Sequence, residues 1–367
     1  MTERLFVGTT PGLEGALATE ARGLGAQVTP VEGGVELEGP LGLHQEANLR
    51  LRIASRVLLR VGHFQAPDAR ALEQGLRAVT LKPFWNGRGA LEVTVNSHRS
   101  RLSSAGQIQA LARKAWKLPP SGRPFPEAPE LSIRLVDNAC DVSVDTSGEL
   151  LHRRGYRQEV SMAPLRETLA AGVLRLAGYS GDAPLWDPMC GSGTLPIEAA
   201  WIAMRRAPGR DRAFAFQKWP SFDRAAWKAK VDAAKGEERE RPTCPIWATD
   251  IHAGALGTAR RNGRRAGVGE ALKLERQDAA SISPLPGMPL GLVVANLPYG
   301  KRVGEKLDPA QLTRALGEAL RQGFTGWRAA LLSNDRRVPE WLGLEAEAMH
   351  PIDNGGISCF LGLYSMR

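Results

Sequence analysis

The chain has 367 residues, 43% hydrophobic and 24% charged, enough apolar material for two or three domains with buried cores and too much for global disorder. A formal net charge of +9 attracts polyanions, so RNA, DNA or an anionic membrane surface are natural partners, a merely basic soluble protein being the plain alternative. No run approaches the ~20 apolar residues that span a bilayer, and Met1 to Val7 lack the basic-then-apolar pattern of a secretory leader. Cys140, Cys190, Cys244 and Cys359 form no C-x-x-C pair, and the histidines show no H-E-x-x-H spacing. These absences predict a cytoplasmic protein with reduced thiols, no membrane association and no metal.

In chain order, Leu5 to Val7 reads as a strand, Gly12 to Gly23 as a helix, Val28 to Leu37 as two short strands and His44 to Ile53 as a helix. Ala71 to Val79 reads as a helix, Ala90 to Val95 as a strand and Gly106 to Trp116 as a helix. The strands Leu131 to Val136 and Ala139 to Val144 follow, with a Pro- and Gly-rich loop over Pro119 to Pro126. This mixture suits small α+β units. From Ala163 the pattern changes to helices alternating with short apolar strands: Pro184 to Trp186, Pro245 to Ala248, Leu272 to Leu274, Leu290 to Ala295 and Arg328 to Leu332. Such alternation predicts a parallel, doubly wound sheet. The stretch Arg205 to Arg241 reads as an insertion whose aromatics, Phe214, Phe216, Trp219, Phe222 and Trp227, either roof an active site over a flipped base or pack on the sheet.

The strongest local signal is the apolar pair Leu185-Trp186, then Asp187-Pro188-Met189-Cys190-Gly191-Ser192-Gly193-Thr194 and a helix. Glycines permit positive φ and close backbone approach to a ligand. The third glycine of a dinucleotide loop is replaced by Pro196, and an acid precedes the turn. That disfavours NAD and suits S-adenosylmethionine, whose ammonium and sulfonium prefer oxygen neighbours. Asp250, beside Ile251, ends the next strand 63 residues after Asp187, where a carboxylate can accept ribose hydroxyls. Asp278, followed by Ala279, ends the third strand and suits the adenine amine. After the fourth strand comes Asn296-Leu297-Pro298-Tyr299-Gly300. An exocyclic base amine is a poor nucleophile because its lone pair is delocalised. The Asn296 amide oxygen and the Leu297 carbonyl can accept its two N–H groups, and Pro298 and Tyr299 can seat and stack the base. In isolation each of these motifs also reads as an ordinary turn or cap.

Asp187 to Ala200 and Asn296 to Arg302 resemble the THUMP-containing RNA guanine-N2 methyltransferases, most closely the branch acting on large-subunit ribosomal RNA. Leu151 to Arg157, Ala163 to Leu169, Thr249 to Ile251 and Asn354 to Ile357 share the likeness. The resemblance implies a ferredoxin-like unit (1–60), a THUMP RNA-binding domain (61–157) and an α/β class I, Rossmann-like methyltransferase domain (158–367). It also implies a monomer that uses S-adenosylmethionine to methylate the N2 amine of a guanosine in structured RNA, 23S rRNA first and transfer RNA as the alternative. The pocket residues it implies are Asp187, Pro188, Cys190, Gly191, Ser192, Gly193, Thr194, Asp250, Ile251, Asp278 and Ala279. RNA would be gripped by Arg99, Arg101, Arg113, Lys114, Trp116 and Lys117. Leu297 stands where the family usually has proline. DNA adenine or protein glutamine methylation and a non-catalytic RNA-binding assembly factor are the rival readings.

Overall fold

The structure, a computed structural model, describes residues 2–88, 91–118, 128–158, 165–298 and 308–367. The loop expected over Pro119 to Pro126 lies outside them, as does Tyr299. The chain forms two compact units. One comprises Met1–Thr9, Ala18–Leu151 and Asp211–Asp232, the other Thr10–Leu17, His152–Arg210 and Ala233–Arg367.

The first unit is built on one seven-stranded sheet. Its strands are β1 (Thr2–Gly8), β2 (Gln27–Val31), β3 (Gly34–Pro40), β4 (Arg56–Gln65), β5 (Glu92–His98), β6 (Glu130–Val136) and β7 (Ala139–Asp145), in the spatial order β2-β3-β1-β4-β7-β6-β5. Among the described strands of this sheet, only β5 and β6 pair in parallel. The C-terminal half of α1 (Glu14–Ala21) and the helices α2 (Leu43–Arg50), α3 (Ala69–Ala78) and α4 (Ala105–Ala115) fall where the apolar spacing predicts them. The strand absent from the sequence reading is β4. Arg56 and Arg60 break its apolar run, and both are neutralised by carboxylates: Arg56 lies 2.9 Å from Glu130, and Arg60 3.2 Å from Glu36. This strand is the seam of the unit, pairing with β1 through Leu59 and Leu5 and with β7 through Leu59 and Val144. The stretches 1–60 and 61–157 therefore share a continuous sheet, and residue 60 lies within β4.

The second unit holds β8 (Leu185–Asp187), β9 (Ile246–Asp250), β10 (Leu272–Arg276), β11 (Leu292–Asn296), β12 (Arg328–Ser333), β13 (Ala348–Asp353) and β14 (Ser358–Ser365), ordered β10-β9-β8-β11-β12-β14-β13. The first five, all expected, run parallel. The antiparallel β13–β14 hairpin was not read in advance, because His350, Pro351 and Asp353 interrupt the apolar pattern of β13. Its helices, in chain order, are α5 (Glu167–Leu176), α6 (Thr194–Ala203), the C-terminal end of α7 (Arg224–Gly236), α8 (Ala253–Arg265), α9 (Pro309–Gly323) and α10 (Val338–Leu342). One core cluster stacks Trp186 on Trp247, centroids 5.3 Å apart, with Val293, Leu316, Leu320, Phe324 and Trp327. A smaller cluster joins Cys190, Ala248, Leu256 and Ala259. The N-terminal segment Thr10–Leu17 belongs to this unit: a Cβ on Gly172 of α5 would meet Leu13 Cδ1 at 2.5 Å.

The aromatic insertion corrects the sequence reading. Phe214, Phe216, Trp219 and Trp227 are buried, and with Phe222 they belong to the first unit and not to the unit built on the parallel sheet. Phe216 lies edge-on to His44 at 5.2 Å, and Trp219 to Phe84 at 4.8 Å. The apolar residues found a core, but not that of the domain in which they are inserted.

Candidate active site

Parallel strands place their carboxyl ends on one edge, and the order of connections reverses between β8 and β11, leaving a crevice there. Asp187, Asp250 and Asn296 end β8, β9 and β11. Asp187 is 1% exposed, and one carboxylate oxygen accepts the Met189 N–H at 3.1 Å. Burial pushes the Asp187 carboxyl well above the usual carboxylate range; the Met189 bond opposes this and the Asp250 charge adds to it. Asp250 accepts the Gly191 N–H at 3.0 Å and the His252 N–H at 2.9 Å, so it fastens the glycine turn to β9. The turn is also held by Cys190 N–H on the Thr249 carbonyl at 3.0 Å and Asn262 Nδ2 on the Ser192 carbonyl at 3.0 Å. Pro188 sits within it. Thr194 opens α6, whose buried faces fix the turn to the sheet.

The two glycines differ. Gly193 has φ +86°, and a Cβ there would lie 3.1 Å from Ala259 Cβ, so its smallness serves the packing of α8 on the turn. Gly191 has φ +53°, and a Cβ would meet open space. Its bare backbone therefore leaves room for a ligand. Two carboxyls beside that space have no cationic side-chain partner among the described residues, which suits a ligand with ammonium and sulfonium charges. Ile251, next to Asp250, is 48% exposed, an apolar face available to a flat ring. Asp278 is exposed and caps the short turn Ala279–Ser281 by accepting the Ala280 N–H at 2.9 Å; Ala279 is buried. The structure thus brings Asp187, Gly191, Gly193 and Asp250 together by direct bonds or contacts along one edge, with Asp278 after the neighbouring strand β10.

Asn296 pairs with Leu332 in the β11–β12 ladder, and its Oδ1 is buried with no hydrogen-bond partner among the described residues. An unpaired buried amide oxygen costs about 1–3 kcal/mol, which is repaid if a ligand N–H meets it. Leu297 is 2% exposed, and its N–H donates to the Leu332 carbonyl at 2.9 Å. Leucine in place of the family proline therefore extends the ladder by one bond that proline lacks. Leu297 and Pro298 line a cavity of about 430 Å³ with Asp308, Thr313, Asn334, Asp335 and Trp341. Asp335, held below the usual carboxylate range first by its bond to Arg337, was not foreseen. The signal was a polar turn, Asn334-Asp335, directly after an apolar strand. Tyr299 is outside the described residues.

The residues expected to grip RNA fall at the two ends of α4. Arg99 and Arg101 follow β5, before the N-terminus of α4, whereas Arg113, Lys114, Trp116 and Lys117 lie at its C-terminal end, roughly 16 Å away along the helix. Arg99 pairs with Asp137 at 2.9 Å and Lys114 with Glu73 at 2.9 Å. Trp116 is half-buried and donates to the Leu76 carbonyl at 2.8 Å.

A parallel sheet extended by an antiparallel hairpin, with acids and a glycine turn at its switch point, defines a class I methyltransferase. Residues 154–362 match the model of the RMKL-like methyltransferase domain, and residues 4–58 that of the RlmL ferredoxin-like domain. A Synechocystis protein described, by inference, as an RNA methyltransferase is 32% identical over 377 residues, covering 100% of this chain and 97% of the relative. Several solved structures match over the whole chain, two of them as follows. A methyltransferase complexed with S-adenosylhomocysteine is 29% identical, with TM-score 0.87 over 98% of its length. A Listeria monocytogenes protein described as a predicted N6-adenine-specific DNA methylase is 29% identical, with TM-score 0.89 over 97% of its length. The chain belongs to the RMKL-like methyltransferase family, and its cofactor is S-adenosylmethionine.

Proposed function

We propose that this chain methylates the exocyclic N2 amine of a guanosine in structured RNA, 23S ribosomal RNA first and transfer RNA as the alternative. The observation that carries the reading is the buried Oδ1 of Asn296 at the carboxyl end of β11, which has no partner among the described residues. S-adenosylmethionine supplies, when bound, an electrophilic methyl carbon. Asp187 and Asp250 hold its positive and hydroxyl groups against the bare backbone of Gly191 and Gly193. Pro188, Cys190, Ser192 and Thr194 complete the turn, and Ile251, Asp278 and Ala279 border the adenine. Asn296 Oδ1 accepts one N–H of the target amine and the Leu297 carbonyl the other, which draws the nitrogen towards tetrahedral geometry and frees its lone pair. The cavity beside Leu297 and Pro298 has room for one nucleobase. Within this reading, residues 1–60 form the ferredoxin-like unit, 61–157 the THUMP domain and 158–367 the catalytic domain. Arg99, Arg101, Arg113, Lys114, Trp116 and Lys117 hold phosphates from two ends of α4, and the enzyme acts as a cytoplasmic monomer.

The test is transfer of labelled methyl to total RNA, followed by nucleoside mass analysis. Accumulation of N2-methylguanosine is expected. Because one structural relative is described as an adenine-specific DNA methylase, duplex DNA is assayed in parallel, and labelled N6-methyladenine in DNA with none in RNA refutes the reading.

A further inference from the structure

The cavity of about 430 Å³ beside Leu297 and Pro298 has one wall to which the methyl-transfer reading gives no role. In the parallel β11–β12 ladder Asn296 lies opposite Leu332, and the Leu297 N–H donates to the Leu332 carbonyl at 2.9 Å. Ser333, Asn334 and Asp335 therefore leave β12 about one strand spacing, ~4.8 Å, from the chain at Leu297 and Pro298, and all five residues line the cavity. The strands that end in the acids and the glycine turn, β8 and β9, lie on the other side of β11. A base whose amine meets the methyl donor above β8 thus extends towards the end of β12.

Asp335 has the chemistry to read the edge of that base. Its side chain is 28% exposed, within reach of a ligand. A carboxylate offers about four acceptor positions. Among the described residues three are used: Oδ1 accepts the Arg337 N–H at 2.9 Å and its Nε–H at 3.0 Å, and Oδ2 accepts its Nη2–H at 2.7 Å. One position on Oδ2 is left. These bonds also fix the carboxylate, since the Arg337 guanidinium rests over the Trp341 ring, 4.8 Å from its centroid. They hold the carboxyl below the usual range, so at neutral pH it accepts and does not donate. Resting on the reading that guanine N2 is methylated, we infer that Asp335 sets base specificity by accepting the N1–H of the target guanine. In guanine the ring nitrogen beside the exocyclic N2 amine carries a hydrogen; in adenine the one beside the N6 amine carries a lone pair. A group that only accepts bonds the first and repels the second. Asn334, on the same wall, can donate or accept and so does not discriminate. Asp308, the other carboxyl of the cavity, belongs to α9, where it caps the helix through the Ala310 N–H at 2.9 Å.

The full-length protein is assayed on an RNA oligonucleotide spanning the guanosine that wild type methylates, made with guanine or with 2-aminopurine at that position. 2-Aminopurine keeps the N2 amine and has a lone pair in place of the N1–H. Asp335→Asn keeps the Oδ1 that accepts the Arg337 N–H and adds an amide that can donate to such a lone pair. Wild type is expected to prefer guanine. The variant is expected to lower the guanine to 2-aminopurine ratio of kcat/KM by about 10- to 150-fold, the worth of one hydrogen bond to a charged group. Its Kd for S-adenosylmethionine should equal that of wild type. A ratio taken within one variant is not moved by a general loss of active enzyme, and the same ratio is read from RNA Kd values, which need no turnover. A ratio within twofold of wild type in Asp335→Asn overturns the inference, as does a wild-type enzyme that uses both bases equally. In either case N2-methylguanosine formed by wild type leaves the substrate reading standing; if wild type forms none in RNA, both fall.

Discussion

Replacing Asn296 with alanine separates catalysis from folding. The Oδ1 atom accepts no bond from the described residues, so its removal breaks none of theirs and relieves a buried unsatisfied acceptor. The backbone ladder to Leu332 is untouched, since it runs through main-chain atoms. Stability should therefore change by less than about 1 kcal/mol, a Tm shift of no more than roughly 4 °C for a unit of this size. Loss of one preorganised acceptor at the reacting nitrogen should cost about 2.7–4 kcal/mol, by analogy with removal of one oxyanion-hole donor. That predicts a kcat lower by about 10²–10³ with the KM for S-adenosylmethionine unchanged. Single-turnover methyl transfer and a calorimetric melt on the same preparation make the test. A kcat within threefold of wild type refutes the polarisation argument; a Tm fall beyond 8 °C refutes the reading of Oδ1 as unpaired.

Gly191→Asn should fold normally, because asparagine tolerates φ +53° and its Cβ meets open space; its side chain should raise the cofactor Kd at least tenfold by calorimetric titration. Gly193→Ala puts a Cβ at φ +86° against Ala259, and a loss of about 2 kcal/mol or more is expected in urea unfolding. Leu297→Pro removes the N–H donated to Leu332 and a buried side chain, so chemical denaturation should show destabilisation of about 2–5 kcal/mol despite the family's use of proline there. Glu167, raised to about 7 by burial with Arg157 opposing, binds its proton more tightly when folded than unfolded. Its contribution is complete below about pH 4.5 and lost as pH rises through 7, on the order of 3 kcal/mol in all. Glu167→Gln should therefore flatten the fall in stability between pH 4.5 and 8; an unaltered slope counts against it.

Five parallel strands, the acids that end β8 and β9 and the amide that ends β11 were legible because each depends on local pattern: a short apolar run, then a residue that leaves the sheet. The hairpin β13–β14 and the seam strand β4 were not, since Pro351 and the arginines of β4 make sense only beside partners far along the chain, Glu36 and Glu130 among them. The sequence also marked Asp250 as a ligand residue. Tertiary structure added that its two oxygens already hold the backbone of Gly191 and His252. Residue types and spacing, by themselves, determined the fold class, the glycine turn and the amide at the end of β11, because a strand's end and a positive φ are local constraints. Which unit the insertion joins, which glycine leaves space and which amide oxygen lacks a partner were decided only by packing, where residues distant in sequence compete for the same volume and the same hydrogen bonds.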